Sequence, residues 1–93
     1  MLIPNKPEQI DILAEELSRD LLLRYGPMLT GKDLLQALGY KTADAFRQAL
    51  SRDLIGVPLF TIAHRRGKFA LSKDVAHWLA RQRMQPNFTG ADQ

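Results

Sequence analysis

The sequence contains no cysteine, which removes any disulfide framework and any thiolate metal site. Histidine is scarce too. His64 and His77 stand without a paired acidic ligand, so no metal centre is expected. No apolar run approaches the ~18 residues that a membrane-crossing helix needs. The opening MLIPNKPEQID lacks the basic-then-apolar order of a secretory leader. A cytoplasmic protein that does not enter a membrane is therefore expected, and the acceptor-like Asn87-Phe88-Thr89 reads as chance. Glycine-rich phosphate loops and nucleophile or acid–base constellations are also missing. The expectation is a protein that is not an enzyme, with no cofactor and no evident small-molecule ligand.

What is present is enough for one small domain. Of the 93 residues, 45% are hydrophobic, too many for a chain that stays disordered. The net charge of +3 is unevenly placed. Residues 1–24 carry three basic and five acidic groups, a net of −2, whereas residues 25–93 carry ten basic and five acidic groups, a net of +5. A basic body behind an acidic leading segment suits a polyanionic partner.

The centre of the chain is Thr30–Asp53, TGKDLLQALGYKTADAFRQALSRD, which reads as two short helices joined by a tight turn. Thr30 is the expected N-cap of the first, with Asp33 three residues on, and Leu34, Leu35 and Leu38 give its buried face. Gly39 supplies the left-handed end of that helix. Thr42 is the expected cap of the second. There Phe46, Ala49 and Leu50 recur at inward spacing, while Asp44, Arg47, Gln48 and Ser51 share the opposite face. Arg and Gln are side chains that can bond guanine and adenine edges bidentately. Residues 42–53 are thus a candidate recognition helix for the major groove. An ordinary solvent-facing helix would use the same residue types.

The flanking segments extend this reading. Met1–Lys6 is expected to be an extended lead-in, followed by a helix from Pro7 to about Tyr25. Ile10, Leu13, Ala14, Leu17 and Leu21 form its apolar stripe, which Ile12, Leu22 and Leu23 broaden. Either the 7–25 helix packs across the core with that surplus, or the surplus meets a second subunit and the helix is a candidate homodimer interface. Gly26-Pro27 ends it. Pro58–Leu71 is predicted to be a β-hairpin with a His64–Gly67 loop, Ile62 opposite Phe69 and Phe60 opposite Leu71. Its tip gathers His64, Arg65, Arg66 and Lys68 around Gly67, which suits contact with phosphate or a groove. A solvated turn could carry the same residues. Ser72 is the expected cap of a last helix whose inward face is Val75, Trp78 and Leu79, with Arg81 and Arg83 near its end. Trp78 and Phe69 are predicted to share one core with Leu35 and Leu50. Pro86 stops the helix, and 86–93 is expected to be a loose tail.

The run from Leu29 to Arg83 resembles the winged helix-turn-helix proteins of the MerR-like class, in particular the small phage excisionases and AlpA-type regulators. The resemblance rests on Pro58-Leu59-Phe60, Arg65-Arg66-Gly67, Phe69-Ala70 and Asp74-Val75-Ala76-His77-Trp78-Leu79, and covers somewhat over half the chain. The Pro7–Tyr25 helix precedes the usual start of such domains. Ala43-Asp44-Ala45-Phe46 also stands where many relatives are serine- or threonine-rich. By resemblance, DNA-reading positions fall on Lys41, Thr42, Asp44, Arg47, Gln48 and Ser51, and wing contacts on His64, Arg65 and Arg66. Arg52 and Lys68 join this set as neighbouring cations. The implied fold is mainly α with a β-hairpin wing, preceded by an amphipathic helix. The implied function is sequence-specific binding of double-stranded DNA, in transcriptional regulation or as a recombination directionality factor. The alternative is a winged-helix module that binds a protein through its wing or its acidic first helix, without DNA.

Overall fold

A computed structural model describes residues 7–85, with side chains from Glu8 onward. The lead-in before Pro7, the tail and the Asn87 acceptor lie outside the described residues. The described chain holds four helices and one small antiparallel sheet, an arrangement compatible with a helical body carrying a wing. In order the elements are α1 (Pro7–Tyr25), β1 (Met28–Thr30), α2 (Gly31–Ala37), α3 (Ala43–Ser51), β2 (Phe69–Leu71) and α4 (Ser72–Met84).

α1 begins with Glu8 in its first turn and ends with Arg24 in its last, so both ends complement the helix dipole. It packs most extensively against α4. Ala14 of α1 and Ala76 and Ala80 of α4 are all buried to 1% exposure or less, and residues this small let two helices approach closely. α4 therefore buries two sides, alanines toward α1 and Val75, Trp78 and Leu79 toward the core. That core is Leu29, Leu34, Leu38, Val57, Ala70 and Val75, flanked by Tyr25, Phe46, Leu59 and Trp78 among others.

α2 and α3 end alike. At α2, Gly39 N–H donates to the Gln36 carbonyl and Tyr40 N–H to the Leu35 carbonyl. At α3, Asp53 N–H donates to Leu50 and Leu54 N–H to Ala49. Both are Schellman closures, which place one residue in the left-handed region. Gly39 takes that position at φ +91 without strain, but Asp53 takes it at φ +58 with a Cβ. Replacing Asp53 with Gly should relieve about 1 kcal/mol of that cost and raise the urea midpoint. An unchanged or lower midpoint would show that the strain at Asp53 does not exceed the added unfolded-chain entropy of glycine.

Several expectations need correction. The sheet is not the expected hairpin. β2 pairs antiparallel with β1, setting Met28 opposite Leu71, Leu29 opposite Ala70 and Thr30 opposite Phe69. The segment before the wing contributes a single bridge in which Phe60 and Phe69 exchange both backbone hydrogen bonds, at 2.9 and 2.8 Å, and their rings stack. Phe60 thus faces Phe69 rather than Leu71, and Ile62 has no strand partner. The two-residue shift preserves the face on which each side chain lies. The wing is a loop over residues 61–68, longer than the predicted turn.

Neither expected cap hydroxyl at Thr30 or Ser72 bonds its own helix. Thr30 flanks α2, but its Oγ1 donates to the Lys68 carbonyl at 2.6 Å. Ser72 is the first residue of α4 and is fully buried. Its Oγ donates to the Gly26 carbonyl at 2.7 Å and its N–H to the Pro27 carbonyl at 2.8 Å, tying the start of α4 to the end of α1. A buried hydroxyl is held by its strongest available acceptor, and here that acceptor is tertiary. α4 ends at Met84, and its C-cap Gln85 has the extended backbone (φ −75, ψ 138) that suits a residue preceding a proline.

The aromatic core also differs in membership. Phe69 is buried at 6% exposure. Trp78 is half-buried at the margin of the core, against Gly56. Leu35 and Leu50 lie outside the central cluster. A Cβ on Gly56 would overlap the indole, coming within 2.8 Å of Trp78 Cδ1. Gly56→Ala should therefore displace the single tryptophan, destabilise the domain by about 1–3 kcal/mol and red-shift its fluorescence. Wild-type emission and stability in that variant would refute the packing.

Candidate nucleic-acid interface

Leu35 and Leu50, outside the central cluster, help line a concavity. α2, α3 and the wing enclose a cleft of ≈870 Å³ with an apolar floor of Leu34, Leu35, Phe46 and Leu50. Around it stand five cations from four places in the chain: Lys32 in the first turn of α2, Lys41 in the inter-helix turn, Arg47 on α3, and Arg66 and Lys68 on the wing. All five are exposed. The Schellman turn at Gly39 sets the angle of α3 to α2. The Thr30 Oγ1 to Lys68 bond fixes the base of the wing to the start of α2.

Four of the residues singled out from the sequence, Lys41, Arg47, Arg66 and Lys68, meet at this cleft. Lys32 was missed, because it sits in a stretch whose sequence signal is one of helix capping. The remaining candidates lie on the surrounding surface. Thr42 caps α3, its Oγ1 accepting from Ala45 N–H at 3.0 Å. Asp44 forms an i, i+3 ion pair with Arg47 on the exposed side of α3. Ser51 Oγ donates to the Gln48 carbonyl at 3.0 Å, so that hydroxyl is held back on its own helix. Gln48 is exposed and follows Arg47 on α3. α3 stops at Ser51, two residues short of the predicted Asp53, which leaves Arg52 exposed at the C-cap.

The wing tip is shaped by its backbone. His64 adopts φ +65 and the Arg65 N–H donates to the Ile62 carbonyl, so a tight turn presents His64 and Arg65 to solvent beyond the cleft. His77 is far from this face, half-buried on α4 beside Lys73 and opposite Asp11 and Glu15 of α1.

Chemically, the cleft gathers five exposed cations, one of them paired with Asp44, around an apolar base. Among the described residues no group of three or more His, Cys, Asp or Glu side chains could hold a metal ion. No helix of the described residues is long and apolar enough to cross a membrane. Comparison of the chain with protein-family models, with curated proteins and with solved structures finds no match.

Proposed function

We propose that the chain is a sequence-specific double-stranded DNA-binding protein of the winged helix-turn-helix kind, acting in transcriptional regulation or as a recombination directionality factor. In this reading α3 enters the major groove, with Arg47 and Gln48 at base edges. Lys32, Lys41, Arg66 and Lys68 hold phosphates on either side, and His64 and Arg65 extend the wing along the backbone or minor groove. The observation that carries the reading is the convergence of cations from α2, the turn, α3 and the wing on one face. Chain-wide charge would not do this. The acidic groups of residues 1–24 are held on α1, which lines no part of the cleft. Asp44 restrains Arg47 in the free protein and must release it, or share it, when a base edge is bound.

One observation favours a second reading. The floor of Leu35, Phe46 and Leu50 is only half-buried, and duplex DNA offers few apolar groups to cover it. An acidic amphipathic peptide would match both floor and rim, making the domain a protein-binding module. Titrations of labelled random duplex and of such a peptide separate the two. The DNA reading expects duplex binding that weakens steeply with salt. Peptide binding with no duplex affinity at low salt would replace it.

A further inference from the structure

Three large apolar side chains of α1 are exposed: Ile12 at 59%, Leu22 at 46% and Leu23 at 85%. Two of them belong to a single row. Ile12, Glu16, Arg19 and Leu23 follow one another at steps of four, three and four, so they line up along the outer face of the helix. Ala14 and Leu21 on the other side are turned to the body of the protein. The row is symmetric in content. Ile12 and Leu23 share a midpoint with Glu16 and Arg19, between Leu17 and Ser18.

We propose that this row is a self-complementary surface on which a second copy of the chain docks, α1 against α1 and antiparallel about a two-fold axis. In that register Ile12 faces Leu23 of the second copy and Glu16 faces its Arg19, and the symmetry makes each contact twice. The charges select the direction, since a parallel pair would set Glu16 on Glu16 and Arg19 on Arg19. Shape agrees with charge. Beside Ile12 lies a shallow depression of ≈430 Å³, lined by Gln9, Ile12, Leu13, Glu16 and Met84, into which the second copy's Leu23 fits. A seam of one helix per chain lies at the small end of specific interfaces, so dissociation should fall in the micromolar range. The proposal is independent of the DNA reading, because α1 lines no part of the cleft.

The test uses the full chain and its lack of cysteine. Chains carrying Ile12→Cys and chains carrying Leu23→Cys should form a disulfide-linked dimer when mixed under mild oxidation, while neither should cross-link alone. Sedimentation of the unaltered chain should show a reversible monomer–dimer equilibrium. Leu23→Glu, a change at a side chain already in solvent, should abolish it with the helical circular dichroism unchanged. Glu16→Arg or Arg19→Glu alone should weaken association roughly tenfold, and the two together should restore it. A monomer at every concentration overturns the proposal, as does cross-linking of either single variant with itself. Failure of the double charge exchange to rescue overturns it too.

Discussion

A chain with Lys32, Arg66 and Lys68 all replaced by alanine should bind duplex DNA on the order of 100- to 1,000-fold more weakly at moderate salt, by a similar factor on every sequence. These three cations come from α2 and the wing, not from α3, and all three line the cleft. In the DNA reading, groups so placed meet phosphates, which fix orientation but carry no base information directly. The slope of log affinity against log salt should flatten by about 0.9 for every phosphate no longer neutralised, which makes about 2.7 for the triple variant. All three side chains are exposed and make no ion pair among the described residues, so thermal stability should hold within about 0.5 kcal/mol. A slope equal to that of the unaltered chain would mean that this face does not meet the backbone. The peptide-binding reading would then take precedence.

The second large effect concerns the fold that holds the cleft. Leu34 is 1% exposed and lies in the central cluster with Leu29, Leu38 and Val75. It also forms part of the cleft floor. Leu34→Ala should cost about 2–5 kcal/mol, because apolar surface is no longer buried and a cavity remains. A domain of this size has about 5–14 kcal/mol of stability in all, so the variant should melt far earlier or fail to fold. Leu35→Ala makes the contrast. Leu35 is one residue along the same helix but only half-buried, and its truncation should cost well under half as much. Equal destabilisation of the two in denaturant melts would contradict this difference in burial.

The sequence made some of this legible and hid the rest for identifiable reasons. α1 and α3 announce themselves through local signals: apolar spacing, Thr42 before Ala43, and acidic first turns. The inter-helix turn was readable because Gly39 is the natural left-handed residue there. What stayed hidden depends on partners far along the chain. Thr30 bonds a carbonyl 38 residues away and Ser72 one 46 residues away, and both residues look like ordinary caps from their neighbours alone. β1 has only three residues, too few for a periodic signal, and finds β2 across the whole helical pair. β1 takes one edge of Phe69–Leu71, and on the other edge the pre-wing segment keeps a single bridge at Phe60. Leu35 and Leu50 repeat at the same spacing as buried leucines. Helical periodicity cannot show that the wing stops short of covering them, and that gap is the cleft.

The central claim is that α3 reads bases while the surrounding cations hold the backbone. The most direct measurement is selection from a randomised duplex pool, followed by affinity titrations on the selected site and a scrambled control with the unaltered chain, Arg47→Ala and Gln48→Ala. The expected result is an enriched site on which each variant loses about 1–3 kcal/mol, with little change on the control. No enrichment, or equal losses on both duplexes, would contradict it.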